Sequence, residues 1–266
     1  MDILKDILEN KRREVRESRE LYPVKLLEKS IYYQASPVSL KKYILRPDMT
    51  GIIAEFKRRS PSRGMINEFA DPAKVCIGYM QAGASALSVL TDKVFFGGTK
   101  KDLEAARGNN YCPILRKDFI IDAYQVIESR SIGADAILLI AGVLKADELK
   151  ELSDLAHSLG MEVLFEVHRP EEVDLLPPEA AIIGVNSRNL GNFSVSMEAT
   201  ARMAGMLPGS VVRVAESGID SPETLLELRR SGYHGFLIGE HFMREGHPAN
   251  AAKQFIRKLK ILERCR

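Results

Sequence analysis

The chain has 266 residues, 45% of them hydrophobic, and carries a net charge of +2. The length is close to the roughly 250 residues of one α/β barrel, and so small a charge gives no support to binding of nucleic acid or an anionic membrane. The N-terminus lacks the cationic and apolar segments of a secretory signal, and no stretch approaches the roughly 20 apolar residues that span a bilayer. We therefore predict a cytoplasmic protein that has neither nucleic acid nor a membrane as a partner.

The cysteines and histidines give no sign of a metal or redox site. Cys76, Cys112 and Cys265 are far apart, and no two of them have the spacing of a zinc ribbon or a redox motif. A sparse, odd number of cysteines is typical of a reducing compartment. The five histidines lack metal-ligand spacing. We predict that the protein binds no metal.

Residues 1–48 are predicted to form a helical extension that packs on the main fold instead of forming a domain of its own. Arg46-Pro47 ends this segment. The run Lys11-Arg12-Arg13 is interpreted as a solvated helix face, and a role over the active site is left open as the alternative. Apolar residues recur in the extension at helical spacing: Leu4, Ile7, Leu8, Val24, Leu27 and Ile31.

Eight short apolar runs follow, each with the length and continuous hydrophobicity of a buried parallel strand. They are Ile52–Phe56, Ala86–Leu90, Pro113–Leu115, Ala136–Ile140, Val163–Val167, Ile182–Val185, Val211–Ala215 and Gly235–Ile238. Helix signals lie between them: an N-cap and proline at Asp71-Pro72 and at Ser221-Pro222, and a capping-box pattern at Asp122 and Gln125. Eight alternating units predict a (β/α)8 TIM barrel, with 1–266 as a single domain. No Gly-x-Gly-x-x-Gly follows the first strand, which argues against a dinucleotide-binding sheet.

Polar side chains follow the predicted strands where this fold places its active site. Period-two alternation puts Glu55 and Lys57 on one face of the first strand. Charges at such positions are costly unless they pair or take part in chemistry. Any one pair, such as Glu166 with Lys117, could be a structural ion pair, but the whole set favours an active site. His168 is interpreted as a supporting residue. The polar residues at strand ends are Glu55, Lys57, Lys117, Glu166, Asn186 and Glu216.

Two further features predict an anion site. Ser217-Gly218 and Gly239-Glu240 follow the seventh and eighth strands, where this fold commonly holds a phosphate on backbone N–H groups. Both glycines could also serve only to form tight turns. The basic loop 57–64 after the first strand is interpreted as an anion-gripping lid, with a mobile surface loop as the alternative.

A loop after the second strand carries two aromatic residues, Phe95 and Phe96, followed directly by paired glycines. Two aromatic rings are unusual in a purely solvated loop. Either one of them stacks on an aromatic substrate, or both fill the edge of the barrel.

These motifs, in this order, resemble the indole-3-glycerol-phosphate synthase family, and the resemblance covers essentially the whole chain. Arg63 stands where the family commonly has lysine, and His241 replaces a small residue beside the phosphate loop. The motifs that carry the resemblance are Ala54-Glu55-Phe56-Lys57, Ser60-Pro61-Ser62, Leu90-Thr91-Asp92, Phe95-Phe96, Leu115-Arg116-Lys117-Asp118-Phe119, Glu166-Val167-His168, Gly184-Val185-Asn186-Ser187-Arg188-Asn189-Leu190, Ala215-Glu216-Ser217-Gly218-Ile219 and Leu237-Ile238-Gly239-Glu240.

The resemblance implies a carboxy-lyase of tryptophan biosynthesis that acts without a cofactor. Its substrate would be 1-(2-carboxyphenylamino)-1-deoxyribulose 5-phosphate, and ring closure, decarboxylation and dehydration would give indole-3-glycerol phosphate. Lys117 would be the general acid at the ketone, Lys57 would hold the carboxylate, and Glu166 would be the base or proton shuttle in dehydration. How acid and base roles divide between the two lysines, and between Glu55 and Glu166, stays open. The residues implied to orient the lysines and the substrate hydroxyls are Glu55, Asn186 and Glu216.

The resemblance also implies how the substrate is bound. Phosphate would lie against Ser60, Gly218, Gly239 and Glu240. Other contacts to the substrate would come from Ser60, Phe96, Arg188 and Ser217. The protein is expected to be a monomer or a weak homodimer.

Two other interpretations remain: a different phosphosugar barrel enzyme, such as a phosphoribosyl-anthranilate isomerase or a phosphate epimerase, and a catalytically inactive barrel. A phosphoribosyl-anthranilate isomerase, as one example of another phosphosugar enzyme, would need a cysteine and an aspartate at strand ends, whereas Cys76 lies in a predicted helix and Cys112 precedes its strand. A catalytically inactive barrel used as a binding module is disfavoured because the charged residues at the strand ends are intact.

Overall fold

A computed structural model describes residues 3–188 and 194–264. Eight parallel strands form a closed barrel in which each strand pairs with the next along the chain and the last pairs with the first. The predicted TIM barrel is therefore confirmed. The barrel strands are β1 (Ile52–Phe56), β2 (Ala86–Leu90), β3 (Ile114–Lys117), β4 (Ala136–Ile140), β5 (Glu162–Val167), β6 (Ile182–Asn186), β7 (Val212–Glu216) and β8 (Gly235–Ile238).

Four of the eight strands have the predicted bounds, and the others differ by one or two residues at one or both ends. The largest difference is in β3, which continues through Arg116 and Lys117. The extension exists because Lys117 pairs in register with Leu90 of β2, and its carbonyl oxygen accepts the Thr91 N–H at 3.2 Å. Lys117 is therefore held by the sheet itself and not by a flexible loop.

Helices surround the barrel and connect consecutive strands. After β5 the chain forms a short 3-10 helix, Pro170–Leu175, where the repeating pattern would place an α-helix. None of the described helices is long and apolar enough to cross a membrane. The α-helices are α1 (Ile3–Leu21), α2 (Val24–Leu27), α3 (Leu40–Ile44), α4 (Pro72–Ala82), α5 (Lys100–Arg107), α6 (Ala123–Ser131), α7 (Ala146–Ser158), α8 (Met197–Ala204), α9 (Pro222–Arg230), α10 (Glu240–Met243) and α11 (Pro248–Arg264).

The predicted helix starts are confirmed, with one error of detail. The Asp71 side chain accepts the N–H groups of Ala73 and Lys74, and Ser221 caps α9 in the same way through the Thr224 N–H. Asp122 caps α6, but the predicted capping box is wrong. The Gln125 side chain accepts the N–H of Ile121 and not that of Asp122, because this glutamine turns back to the strand-side loop.

The N-terminal extension is helical, as predicted, and its helices lie at opposite ends of the barrel. Helix α3 covers the amino ends of the strands, where Leu40 and Ile44 are buried among inward-facing barrel residues. It is fixed there by Glu162 at the start of β5, which accepts hydrogen bonds from Ser39 Oγ at 2.6 Å and the Lys41 N–H at 2.8 Å. Helix α1 instead lines the cavity at the carboxyl ends of the strands, through Ile7 and its neighbours.

The prediction of a solvated face at Lys11-Arg12-Arg13 is wrong for its first residue. Arg12 and Arg13 are exposed, but Lys11 is only 2% exposed. Ile7, Lys11 and Val15 are spaced four residues apart and form the buried stripe of α1. The lysine can be buried there because acidic side chains of the barrel neutralise its charge.

We predict that Leu40→Ala destabilises the fold without affecting the active site. The substitution would leave a cavity at the closed amino end of the barrel, and such cavities cost about 2–5 kcal/mol. Leu45, five residues further on, is 47% exposed, so Leu45→Ala should cost about 0.5 kcal/mol or less. Urea unfolding of the two variants measures the difference. Equal effects would show that α3 contributes little to closing the barrel.

Candidate active site

A cavity of about 450 Å³ opens at the carboxyl ends of the barrel strands. Every residue that the sequence predicted for the site lines this cavity, although the residues come from seven separate segments of the chain. They are Glu55, Lys57, Ser60, Phe96, Lys117, Glu166, Asn186, Arg188, Glu216, Ser217, Gly218, Gly239 and Glu240.

Lys117 lies at the centre of the polar part of the cavity. Its Nζ is 2.9 Å from Glu166 Oε2 and 3.4 Å from Glu216 Oε2. Burial alone would lower the pKa of Lys117, but the carboxylates of Glu166, Glu216 and Glu55 outweigh it and raise the pKa above its usual range. The side chain is therefore a buried ammonium with a proton to donate.

Glu166 receives contacts from three sides. Besides Lys117, its carboxylate accepts a hydrogen bond from Asn186 Nδ2 at 3.2 Å and lies 3.3 Å from His168 Nε2. Burial would raise the pKa of Glu166, but the Lys117 ammonium, the neighbouring His168 and the hydrogen bonds from Lys117 and Asn186 together lower it to about 2. His168 thus contacts a central carboxylate instead of lining the cavity, which agrees with its interpretation as a supporting residue.

Glu216 is only 1% exposed, at the end of β7. A Cβ at position 184 would lie 2.1 Å from Glu216 Oε1, so Gly184 in the neighbouring strand β6 leaves the space that this carboxyl occupies. Burial raises the pKa of Glu216 to about 8. Lys117 opposes this rise, whereas the nearby carboxylates of Glu166 and Glu55 add to it. Two carboxyl groups beside one lysine therefore differ in protonation near neutral pH.

A second ion pair lies on β1 and the loop after it. Lys57 Nζ is 2.8 Å from Glu55 Oε1, and Ser88 Oγ donates to Glu55 Oε2 at 3.4 Å. The alternation along β1 places Ile53 below Glu55 on the inward face, as predicted. The lysine is 15% exposed, so it can reach a ligand in the cavity.

The two predicted phosphate-site glycines are both required by their neighbours. Gly218 has φ +71°, and a Cβ there would lie 2.6 Å from Val195 Cγ1. A Cβ on Gly239 would lie 2.5 Å from Glu55 Oε1. Close packing alone therefore accounts for a glycine at each position, and any contact with phosphate is an additional role.

The basic loop after β1 contains a short hairpin, in which Arg59–Ser60 pairs with Gly64–Met65. Arg58 does not reach the cavity, because Asp102 binds it through two hydrogen bonds of 2.7 and 2.9 Å. Arg63 is the arginine of the hairpin that lines the cavity. Of the three arginines in this loop, only Arg63 therefore lines the cavity.

Glu240 joins the hairpin to the loop after β6. Its carboxylate lies 2.9 Å from Arg63 Nε and 3.1 Å from Arg188 NH2. Arg188 also donates to Ser62 Oγ at 3.3 Å. A carboxylate repels phosphate, so a phosphate-binding role for Glu240 can involve only its backbone N–H.

The other end of the cavity is apolar. Phe96 lies with its ring centroid 6.1 Å from that of Phe119, in a tilted arrangement. Asp92 Oδ1 fixes the Phe96 loop by accepting the N–H groups of Phe95 and Phe96. The apolar lining residues of this part are Ile3, Leu4, Ile7, Phe96, Phe119, Leu138 and Ile140. An aromatic ring fits such a surface.

Comparison with known proteins agrees with this geometry. The family model described as indole-3-glycerol phosphate synthase matches residues 4–258. A protein of that name from Bacteroides thetaiotaomicron is 46% identical over 258 residues, covering 97% of this chain and 99% of the relative. Those from Dechloromonas aromatica and Salinibacter ruber are each 41% identical, covering 96% and 94% of this chain and 99% and 94% of their own.

The chain belongs to the indole-3-glycerol phosphate synthase family. The predicted family is confirmed, and with it the prediction of a carboxy-lyase of tryptophan biosynthesis that acts on a small phosphorylated substrate. Cys76 and Cys112 are buried away from the residues that line the cavity, which agrees with setting the isomerase interpretation aside. Within residues 3–188 and 194–264, no group of three or more histidine, cysteine or acidic side chains could hold a metal.

Part of this synthase-family site was missed from the sequence. Ile3, Leu4 and Ile7 were not predicted to line the cavity, because a role of the extension over the active site was considered only for Lys11-Arg12-Arg13. Leu138 and Ile140 were read only as buried strand residues, but the end of β4 faces the cavity. Of the motif 184–190, Asn189 and Leu190 lie outside the described residues.

We predict that Glu216 makes the fold less stable as the pH rises. Its pKa is about 8 in the folded protein and about 4.3 in an unfolded chain. The stability it contributes is therefore complete below about pH 4.3 and is lost as the pH rises through about 8. The unfolding free energy of the parent should fall more between about pH 5 and about pH 9 than that of Glu216→Gln.

Urea unfolding at the two pH values checks this, with Glu227→Gln as the control because Glu227 is exposed on α9. The control should lose stability as the parent does. A Glu216→Gln variant with the same pH dependence as the parent would show that Glu216 is ionised at neutral pH.

Proposed function

We propose that Lys117 is the general acid of the synthase reaction and that the carboxyl groups beside it take part in the proton transfers. One observation carries the proposal: the Lys117 ammonium lies between two buried carboxyl groups of opposite pKa shift, inside the cavity. The substrate is 1-(2-carboxyphenylamino)-1-deoxyribulose 5-phosphate and the product is indole-3-glycerol phosphate. The ring of the substrate is rich in electrons because it bears an amino group, so no cofactor is needed.

In the first step a new carbon–carbon bond forms. The ring carbon that bears the carboxylate attacks the ketone carbon, and the ketone oxygen takes a proton from Lys117 Nζ. Loss of carbon dioxide then returns its bonding electrons to the ring, which becomes aromatic again. A lysine that stays charged at neutral pH is suited to this donation, and burial strengthens its effect on the developing alkoxide.

Dehydration follows. The new hydroxyl leaves as water after it takes a proton, and the neighbouring carbon loses a proton so that the second double bond of the pyrrole ring forms. Glu166, with its low pKa, is ionised and is the proposed base. Glu216 still holds its proton near neutral pH and lies 3.4 Å from Lys117 Nζ, so it can return a proton to the lysine.

The remaining polar residues orient the substrate in this proposal. Lys57 binds the carboxylate that will be lost and is itself held by Glu55, and it stays a candidate for the acid in dehydration. Asn186 positions Glu166, and its Oδ1 accepts the Ser217 hydroxyl at 2.8 Å. Ser217 and Arg188 are then placed to contact the glycerol part of the substrate.

The phosphate and the aromatic ring take opposite ends of the cavity. Backbone N–H groups at Gly218, Gly239 and Glu240 and the hydroxyl of Ser60 are the proposed phosphate ligands, with Arg188 and Arg63 near them. The ring lies against Phe96 and the other apolar lining residues. This places the reacting ketone in the middle of the cavity, beside Lys117.

We also propose that the protein works in the cytoplasm as a monomer or a weak homodimer, without a nucleic acid or membrane partner. One observation supports the reducing compartment: Cys76 and Cys112 are free and buried. Chromatography at two protein concentrations tests the oligomeric state.

We predict that Lys117→Met lowers kcat by about 10² to 10⁴ while the fold survives, because general acid catalysis contributes about that much. Formation of product is followed by indole fluorescence, and melting temperature is measured on the same preparation. Lys101→Met is the control, since Lys101 is exposed on α5. A loss of less than about tenfold in kcat would remove Lys117 from the acid role.

We predict that Gly218→Ala weakens phosphate binding and raises KM by about tenfold or more, because φ +71° disfavours a side chain and the loop must shift. Inorganic phosphate should inhibit the parent competitively and the variant more weakly. Gly160→Ala is the matched control, because Gly160 also has a positive φ (+77°) but does not line the cavity.

Melting temperature and KM, measured on the same preparation, separate the two roles of this glycine. If Gly218 presents its N–H to phosphate, Gly218→Ala raises KM and weakens phosphate inhibition, whereas the control changes neither. If the glycine only permits the turn, Gly218→Ala lowers the melting temperature and leaves KM at the parent value, and phosphate is then held by other groups.

A further inference from the structure

Lys11 of helix α1 is a buried cation that the proposed reaction does not use. Its Nζ lies 2.8 Å from Asp118 Oδ1, 2.9 Å from Asp92 Oδ2 and 2.7 Å from Glu14 Oε2. Asp92 is 0% and Asp118 3% exposed. Burial would lower the pKa of Lys11, but Asp118 and Asp92 raise it above its usual range, so the lysine stays charged. We call Lys11, Asp92 and Asp118 the Lys11 cluster.

The Lys11 cluster joins three parts of the molecule that the sequence separates widely. Asp118 directly follows Lys117 at the end of β3, and it also binds Thr91 Oγ1 and Arg116 NH2. Asp92 follows β2 and holds the loop that carries Phe96. Lys11 is the group that links both aspartates to α1. Without it, two carboxylates would be buried beside each other with less positive charge to balance them.

The same helix forms part of the cavity wall. Ile7 lies one turn before Lys11 on the buried face of α1, and Ile3 and Leu4 follow one turn further toward the N-terminus. Facing them across the apolar end of the cavity are Phe96 and Phe119, whose loops the two aspartates hold. One helix and two loops therefore form the apolar end of the cavity, and the Lys11 cluster connects them.

We infer that Lys11 is a positioning residue of the synthase, which fixes α1 over the barrel mouth and so forms the surface that binds the aromatic ring of the substrate. The inference rests on the proposed orientation of the substrate in the cavity. Lys11 affects only the end of the cavity that binds the aromatic ring, because the end that binds the phosphate is built from the loops after β1, β6, β7 and β8. Loss of the lysine should therefore weaken binding of the aromatic ring and leave binding of the phosphate unchanged.

The experiment compares two ligands on one variant. Lys11→Met keeps the length of the side chain and removes its charge, and Arg12→Met is the matched control on the exposed face of the same helix. Affinity for indole-3-glycerol phosphate is measured by fluorescence titration, and affinity for inorganic phosphate by competitive inhibition. We expect Lys11→Met to weaken product binding by about tenfold or more and phosphate binding by less than about twofold. Arg12→Met should change neither.

Hydrogen exchange gives a second readout. Amides of α1 should exchange faster in Lys11→Met, while those of β1 and β8 keep the parent rates, because only the helix is released. Lys11→Arg, which keeps the cation, should restore product binding at least in part. If Lys11→Met does not fold, Lys11→Gln, which removes the charge but can still donate hydrogen bonds to the aspartates, is measured in its place.

The outcomes separate this inference from the proposed function. A lower melting temperature with both affinities unchanged would make Lys11 a stabilising residue only and would overturn the inference. Equal weakening of product and phosphate would overturn it as well, since the effect would then reach the whole site. The proposed function is tested on the parent, and a parent that binds neither ligand would overturn both.

Discussion

The mouth of the barrel is organised by the need to balance buried charge. Lys117, Glu166, Glu216, Glu55 and Lys57 lie together in one cavity, and the three glutamates are at most 3% exposed. Ionised groups lose their hydration there, so each must have a partner of opposite charge or hold a proton. Two lysines cannot neutralise three carboxylates, and burial resolves the excess by raising the pKa of Glu216. The same imbalance gives the site both an ionised carboxylate and a protonated carboxyl beside its acid.

The surrounding structure supports this arrangement. Gly184 and Gly239 leave room for Glu216 and Glu55, which a side chain at either position would displace. On the outer face of β3, Arg116 is fully paired with Glu128 and Asp118, so the strand that carries Lys117 is fixed from both sides. The barrel thus fixes the position of the Lys117 ammonium group.

The N-terminal extension closes the barrel at both ends by different means. At the amino ends of the strands, α3 is held mainly by apolar burial of Leu40 and Ile44. At the carboxyl ends, α1 is held by the Lys11 cluster, because the surface it covers is interrupted by the charged residues of the site. An ion cluster can fix a helix at a polar opening where an apolar contact alone would leave carboxylates unpaired.

The sequence by itself was enough to predict the barrel and the polar strand-end residues that line its cavity. Apolar runs at a regular distance, with caps and glycines between them, define parallel strands and connecting helices, and parallel strands bring their carboxyl ends to one rim. For that reason Glu55, Lys117, Glu166 and Glu216 could be placed in one cavity before any distance was known. These inferences depend on local periodicity, which the sequence displays directly.

Only the tertiary structure decided which charges pair and which segments close the cavity. Lys11 was taken for a solvated residue because its two neighbours are arginines, although its spacing from Ile7 and Val15 marks the buried face. Its two buried partners, Asp92 and Asp118, lie about 80 and about 107 positions away along the chain, and no local pattern reports such a contact. Arg58 likewise was grouped with Arg63 by proximity, yet Asp102 holds it away from the cavity. Pairing of charges depends on distance in space, and the closed barrel sets those distances.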